Sequence, residues 1–147
     1  MVGRQLNNDN LKLVSWLNAA GVKDRFVLLG EHRYIPDCLL AMDLFCLYSR
    51  SEGFPSALGE AMAMARPCIA TDVGDSKLLL GNTGFLVQKN NPKALAHGIA
   101  KILRCSKEYQ KQMGLKAQKR VESEFSLVKS CRKYETVYAE LLAGEYL

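Results

Sequence analysis

The sequence predicts an α/β fold in which one layer of strands is flanked by helices. Short apolar runs alternate with stretches of helical periodicity along the chain, and no internal repeat interrupts the alternation. The 147 residues are 48% hydrophobic and 24% charged, which suits one globular domain with its own core. We therefore expect a single domain over residues 1–147. The composition excludes disordered and collagen-like chains.

The first half of the chain contains two predicted helices and two predicted strands. Asn10–Ala20 has apolar residues at helical spacing and is followed by Gly21, which suits a C-terminal cap. Phe26–Leu29 is short and apolar and predicts a strand. A short helix is expected at Pro36–Met42. Leu44–Tyr48 is apolar on both faces, which is typical of a strand buried in a parallel sheet.

The second half continues the alternation with a helix, two strands and three helices at Ser56–Ala65, Pro67–Thr71, Gly84–Val87, Asn91–Arg104, 107–123 and 127–143. The pair Asn91 and Pro92 is typical of a helix start. Crossovers between parallel strands are right-handed, so the carboxyl ends of the strands lie along one edge of the sheet. We expect any ligand at that edge.

The lengths of the apolar runs and the first residues of the chain predict the cellular compartment. Its apolar runs are only a few residues long, against roughly 20 for a bilayer span, and its first five residues do not resemble a signal peptide. The expected location is therefore cytoplasmic. Five scattered cysteines form no C-x-x-C pair, so we expect them to be reduced and mostly buried: Cys38, Cys46, Cys68, Cys105 and Cys131.

The net charge of +5 is concentrated toward the C-terminus. Residues 101–147 carry ten basic and six acidic side chains, against ten and nine in residues 1–100. The basic residues are interleaved with acids, so a solvated helix face is favoured over a surface for nucleic acid or anionic lipid. No nucleic-acid partner is expected.

One loop carries the residue types of a ligand site. Residues 49–63, SRSEGFPSALGEAMA, join a predicted strand to a predicted helix. Glu52 lies in the loop and Glu60 about one turn into the helix, so both carboxylates can face one crevice. The free N–H groups at the start of a helix attract phosphate, and Gly53 lets the backbone approach it closely.

Carboxylates beside a phosphate need a second explanation, because the charges repel. Ionised carboxylates accept pairs of hydrogen bonds from vicinal hydroxyls, which are typical of sugars. A diphosphate with hydroxyl-rich groups at both ends is a nucleotide-sugar. In the alternative without a ligand, the Glu60 carboxylate stabilises the helix because it lies near the N-terminus. Glu52 is then an ordinary solvated loop acid.

Taken together, these motifs resemble the C-terminal domain of retaining glycosyltransferases of the GT-B fold, the family called group 1 or family 4. The family's E-x7-E motif is present from Glu52 to Glu60. Further matches are VLLG at 27–30, DLF at 43–45, RPCIATDVG at 66–74 and TGFLV at 83–87. The resemblance covers most of the chain. It implies a Rossmann-like parallel sheet flanked by helices and ending in C-terminal helices.

The resemblance also implies a donor site for a nucleoside-diphosphate sugar, with no metal and no other cofactor. The position of Glu52 contacts donor-sugar hydroxyls and is the candidate catalytic residue, and the position of Glu60 binds the ribose. The backbone of Gly53, Phe54 and Pro55 lies beside sugar and phosphate. The remaining candidates border the base or the rim of the crevice: Glu31, His32, Arg33, Arg50 and Ser51.

Several features depart from the family pattern. Ala65 stands where a glycine is usual, which suggests a packing change, and Leu78 stands where an acid is frequent. The family's first strands and its basic pair for the diphosphate find no match, and we do not assign Arg4 to that pair. We expect the N-terminal acceptor domain of the family to be missing as well. The resemblance therefore implies half of a site formed between two domains, with little activity alone.

The expected function is retaining transfer of a hexosyl group to a glycan or glycolipid by the full-length enzyme, as in polysaccharide biosynthesis. Peripheral contact with a membrane is a further expectation for that parent. The alternatives are a non-catalytic nucleotide-binding or interaction module, and a fragment of a nucleotide-sugar epimerase, whose catalytic acids and histidine we do not place in this sequence. A third alternative is an α/β domain with Phe54, Leu58, Met62 and Met64 as core only.

Overall fold

The computed structural model of the chain describes residues 1–144. Within them, the helices are α1 Leu11–Ala19, α2 Ile35–Leu40, α3 Ser56–Ala63, α4 Ser76–Leu80, α5 Pro92–Arg104, α6 Lys107–Glu124 and α7 Leu127–Ala143, and the strands are β1 Phe45–Leu47, β2 Cys68–Thr71 and β3 Phe85–Val87. One 3-10 turn follows α1 at Lys23–Arg25. The chain forms two compact units, one of residues Met1–Ala41 and one beginning at Met42. That residues 1–147 form one domain stays a prediction.

The first unit is built around α1, which begins as expected after Asn10. The side-chain oxygen of Asn10 accepts a hydrogen bond from the Leu13 N–H at 3.1 Å and so caps the helix. Of the apolar side chains at helical spacing, Leu17 is buried, whereas Leu11 and Trp16 are exposed. The apolar periodicity therefore predicts the helix correctly but overstates how much of it is buried.

The strand predicted at Phe26–Leu29 is wrong. The segment contacts the start of the chain through a few backbone hydrogen bonds, in which Leu29 N–H donates to the Met1 carbonyl and Gly3 N–H to the Gly30 carbonyl. Both Gly3 and Gly30 have positive φ, at 140° and 67°, so the backbone turns at each of them. The contacts are too few to form a regular ladder.

The second unit contains a parallel sheet in the order β1-β2-β3. Cys46 aligns with Ile69, and Ile69 aligns with Phe85. All four residues of β2 are buried, as expected for a central strand. Within the described residues β1 pairs with β2 alone, so it is an edge strand and exposes Cys46 and Tyr48. The prediction that this strand is buried on both faces is therefore wrong.

The helices pack on the sheet around a core of Ile69, Ile102 and Met113. Two helical glycines allow the closest approaches. A Cβ atom on Gly98 of α5 would lie 2.5 Å from Ile69 Cδ1, and one on Gly114 of α6 would clash with the Ala65 carbonyl. These positions keep α5 against the sheet and α6 against the end of α3.

The predicted helices of the second half are confirmed within a few residues, and each of the last three begins at a side-chain cap. The residues Asn91, Ser106 and Ser126 precede α5, α6 and α7, and the side chain of each accepts a hydrogen bond from a backbone N–H three residues ahead. The short helix α4 is an addition to the prediction. Through residue 144, no helix combines the length and the apolar character that crossing a membrane requires.

The expectation that the cysteines are mostly buried is wrong. All five are free, but Cys46 and Cys131 are exposed and Cys38 and Cys105 are half-buried. Cys68 alone among the five is buried, and its burial raises the pKa of the thiol to about 12. Its position in the central strand accounts for that environment.

Candidate functional site

The loop that joins β1 to α3 is fixed to the end of β2 by one buried side chain. Thr71 is the last residue of β2 and is fully buried. Its hydroxyl accepts a hydrogen bond from the Ser49 N–H at 3.0 Å and donates one to the Ser49 carbonyl at 2.8 Å. A side chain therefore continues the pairing of the two strands at the point where the loop leaves the sheet.

Glu52 is half-buried in this loop, and its side chain is oriented from within the loop. Ser49 Oγ donates a hydrogen bond to Glu52 Oε1 at 2.7 Å. An ionised carboxylate has about four acceptor positions, so one such bond leaves capacity for further donors. Glu52 thus combines a fixed orientation with unused acceptor capacity at the carboxyl end of β1.

The backbone of Glu52 is supported by the turn that follows β2. Gly74 has a φ of 50°, and a Cβ atom there would clash with the carbonyl oxygens of Glu52 and Gly53. The next residue, Asp75, donates its N–H to the Gly53 carbonyl at 2.9 Å. The Val-Gly turn in the sequence is therefore a requirement of this loop, because only glycine permits both the dihedral angle and the close approach.

Helix α3 begins directly after the loop and carries the second acid of the motif. Pro55 is buried in front of it, and no side chain caps the helix N-terminus or places an acid in its first turn. Glu60 is the fifth residue of α3 and is exposed. The position of Glu60 about one turn into the helix is therefore confirmed. That both acids face one crevice stays a prediction.

An aromatic contact borders the exposed side of the loop. Phe54 is 49% exposed, and its ring centroid lies 6.0 Å from that of Phe125, beyond the end of α6. The guanidinium of Arg120 lies 5.7 Å from the Phe125 ring and donates hydrogen bonds to the carbonyls of Leu78 and Leu79. Phe54 is thus a partly exposed ring beside the loop, and the interpretation of Phe54 as core alone is wrong.

The other predicted site residues divide between the two units. Arg50, Ser51 and Gly53 are exposed in the loop of the second unit. Glu31, His32 and Arg33 are exposed in the first unit. One imidazole nitrogen of His32 has a hydrogen-bond partner nearby in the sequence, since its Nδ1 accepts a hydrogen bond from the Tyr34 N–H at 3.2 Å.

The first unit has a polar cavity of its own. Its volume is about 670 Å³, and it is lined by Arg4, Gln5, Asn7, Asp9, Asn10, Leu11 and Glu31. Glu31 is therefore the one predicted site residue among those that line it, and Arg4, which we did not assign to a site, lines it too. Among residues 1–144, no group of three or more His, Cys, Asp or Glu side chains is arranged to hold a metal ion.

Sequence reasoning missed three residues that shape the loop, namely Ser49, Thr71 and Gly74. The available signals were a serine directly after an apolar strand and the Thr-Asp-Val-Gly run after the next one. It also misread Ala65, whose backbone has a φ of 54° just past α3. A glycine is favoured there because of this left-handed conformation, so the departure is one of backbone geometry as well as packing.

Comparison with known proteins identifies the family. Residues 1–105 match the family described as "Glycosyl transferases group 1". The chain belongs to the group 1 glycosyltransferases. N-acetyl-alpha-D-glucosaminyl L-malate synthase of Bacillus anthracis is 32% identical over 126 residues, which cover 84% of this chain and 33% of that protein. Lipopolysaccharide core biosynthesis mannosyltransferase LpsB of Rhizobium meliloti is 41% identical over 88 residues, covering 57% of this chain and 25% of that protein.

Solved structures have the same fold as this chain. A glycosyltransferase from Rickettsia africae ESF-5 is 27% identical, with a TM-score of 0.85 over 97% of this chain and 39% of that one. Anabaena Alr3699/HepE, solved in complex with UDP, is 25% identical, with a TM-score of 0.82 over 94% of this chain and 40% of that one. The predicted fold class is confirmed. The chain spans between a quarter and two fifths of the length of these relatives.

Proposed function

We propose that this chain is the donor-binding part of a retaining glycosyltransferase. It binds a nucleoside-diphosphate sugar, and the full-length enzyme transfers the hexosyl group to a glycan or glycolipid. The observation that carries the proposal is the hydrogen-bonded loop that holds Glu52 next to the uncapped start of α3. Membership of the group 1 glycosyltransferases and likeness to a structure solved with UDP support it.

Each part of the loop has a chemical role in this proposal. Glu52 accepts hydrogen bonds from hydroxyls of the donor sugar, and Glu60 accepts them from the ribose, because ionised carboxylates are acceptors only. The diphosphate lies at the start of α3, where backbone N–H groups and the helix dipole favour negative charge. The backbone of Gly53, Phe54 and Pro55 borders sugar and phosphate.

The outer residues complete the donor site. Arg50 and Ser51 lie at its rim, where a guanidinium and a hydroxyl can donate to phosphate or sugar oxygens. From the family resemblance we infer that the site needs no metal or other cofactor. The helix N-terminus offsets part of the phosphate charge.

The chemical step needs positioning and charge stabilisation. The bond between the anomeric carbon and the diphosphate breaks, and the acceptor oxygen bonds to that carbon with the configuration retained. The proton of the acceptor hydroxyl is taken up by the departing diphosphate, so that the step balances. This part of the enzyme orients the sugar through Glu52 and stabilises the leaving diphosphate at α3. Glu52 is the catalytic residue of this chain in the sense that it contacts the reacting sugar, and nucleophilic attack by Glu52 is not required.

The acceptor is bound by an N-terminal domain of the parent enzyme, which closes over the donor and excludes water. The isolated chain accordingly has little transferase activity and binds its donor weakly, in the high micromolar range or above. We assign the parent to the cytoplasm, with peripheral contact at the inner face of a membrane. Saturable transfer of labelled sugar by the 147-residue chain alone would contradict the assignment of half a site.

A titration followed by NMR tests the proposal. UDP, GDP and ADP are added separately to the ¹⁵N-labelled chain, with and without EDTA. The expected result is movement of amide signals from residues 52–60 with at least one nucleotide, at the same concentration in both conditions. Movement elsewhere while residues 52–60 stay silent would overturn the assigned site. Loss of nucleotide binding in EDTA would overturn the proposal that the site needs no metal.

A further inference from the structure

We propose that Ser49 is a positioning residue for the Glu52 carboxylate and that Thr71 holds Ser49 in place for this role. The inference rests on the proposed function, because it concerns how Glu52 is presented to the donor sugar. It adds two residues that do not contact the donor themselves. The two act in series, since Thr71 binds the backbone of Ser49 and the side chain of Ser49 binds Glu52.

The first step is the contact between Ser49 and Glu52. The Ser49 Oγ to Glu52 Oε1 distance of 2.7 Å is short, as expected where a hydroxyl donates to a charged acceptor. A glutamate side chain has three rotatable bonds and loses considerable freedom when it is held in one orientation. A carboxylate that receives vicinal hydroxyls needs its plane fixed before the sugar arrives. The Ser49 hydroxyl provides that restraint.

The second step is the contact between Thr71 and Ser49. One buried hydroxyl binds both the N–H and the carbonyl of Ser49, at 3.0 and 2.8 Å. Thr71 is 0% exposed and belongs to the central strand, so the surrounding core fixes its side chain. The position of the Ser49 hydroxyl is therefore set by the core of the sheet.

The third step is that the Glu52 backbone is fixed independently. Gly74 packs against the Glu52 and Gly53 carbonyls, and Asp75 N–H binds the Gly53 carbonyl. These contacts restrain the backbone and leave only the side-chain torsions of Glu52 free. Removal of the Ser49 hydroxyl should therefore release the carboxylate without moving the loop.

The test compares affinities for a nucleotide with and without its sugar. Dissociation constants are measured for UDP against UDP-glucose, for GDP against GDP-mannose and for ADP against ADP-glucose. The gain from the sugar is the ratio of the two constants within each pair. We expect Ser49→Ala to reduce this gain about tenfold while the affinity for the free nucleotide stays unchanged. Ser49→Thr keeps the hydroxyl and should restore the gain, and Ser130→Ala, an exposed serine of α7, is the control.

A crystal structure of the Ser49→Ala variant supplies a readout that needs no ligand. The Glu52 carboxylate should occupy more than one position, with the backbone of residues 49–54 unchanged. An unchanged Glu52 side chain, or an unchanged sugar gain, would overturn the positioning role. Equal losses for nucleotide and nucleotide-sugar would also overturn it, since they would assign Ser49 to loop stability.

The two proposals fail in different ways. If the wild-type chain binds none of UDP, GDP and ADP at residues 52–60, or gains nothing from the sugar in any of the three pairs, the donor site itself is overturned and the role of Ser49 falls with it. If the wild-type chain gains affinity from the sugar and Ser49→Ala keeps that gain, only the role of Ser49 is overturned.

Discussion

The two acids of the E-x7-E motif are held in place by different means. Glu52 is half-buried, and its position depends on Ser49, on Thr71 and on the Gly74 turn, which lie on two different segments of the chain. Glu60 is exposed on α3, and the helix alone determines its position. One short motif therefore combines an acid placed by tertiary contacts with an acid placed by local structure.

This difference teaches where the motif is vulnerable. Substitutions about 20 residues away from Glu52 in the sequence should disturb it, because some of its supports come from the end of β2 and the following turn. Glu60 should tolerate changes in those supports as long as α3 forms. The predictions below test this contrast, from the largest expected effect to the smallest.

Gly74→Ala should have the largest effect. The added Cβ clashes with the Glu52 and Gly53 carbonyls and occupies a backbone conformation with a φ of 50°. We expect a loss of about 2–4 kcal/mol in the free energy of unfolding, measured with denaturant. Gly53→Ala is the control, because a Cβ there meets no atom within 4 Å, and its cost should stay below about 1 kcal/mol. Similar losses for the two variants would refute the role of Gly74 as a support.

Thr71→Val should have the second-largest effect. The substitution keeps the shape of the side chain but leaves the Ser49 N–H and carbonyl without their partner. The expected loss is about 1–3 kcal/mol in the free energy of unfolding. Thr136→Val removes an exposed hydroxyl that donates to the Arg132 carbonyl on α7, and it should cost about 0.5 kcal/mol or less. A Thr71 variant as stable as the Thr136 variant would show that the buried hydroxyl contributes nothing.

Exchanging each acid for its amide separates their roles in binding. Glu52→Gln should weaken binding of UDP-glucose about tenfold and leave UDP unaffected, because it removes an acceptor for the sugar alone. Glu60→Gln should weaken both ligands by a similar factor, since both contain the ribose. Glu122→Gln on the exposed part of α6 is the control. Equal changes in the affinities for UDP and UDP-glucose in the Glu52 and Glu60 variants would contradict the proposal that Glu52 binds the sugar and Glu60 the ribose.

The smallest effect concerns Asp43, an acid that precedes β1 as Glu52 follows it. A hydrogen bond from Lys107 at 2.7 Å, with its charge, holds the pKa of Asp43 below the ordinary value of 3.8. The stability from this pair is complete above that value and is lost as the pH falls through the lowered pKa. In an NMR titration, Lys107→Gln should raise the Asp43 midpoint toward 3.8. An unmoved midpoint would rule out the Lys107 contact in solution.

The sequence by itself determined most of the helices, the site loop and the family. Helix starts at Asn10, Asn91, Ser106 and Ser126 can be recognised from the sequence, because each cap bonds to a backbone N–H three residues ahead. The E-x7-E motif and the Val-Gly turn are likewise contiguous stretches. Signals of this kind are complete within a few residues and need no partner from elsewhere.

Only the tertiary structure decided which apolar segments pair and what supports Glu52. Phe26–Leu29 and Phe45–Leu47 are both short and apolar, yet only the second forms a strand, because a strand requires a neighbour and β2 provides one. The exposure of Cys46 at the sheet edge and the hydrogen bonds between Thr71 and Ser49 were likewise decided by which segments pair. Both arise from contacts between segments separated by some twenty residues, and local patterns contain no information about which distant residues will meet.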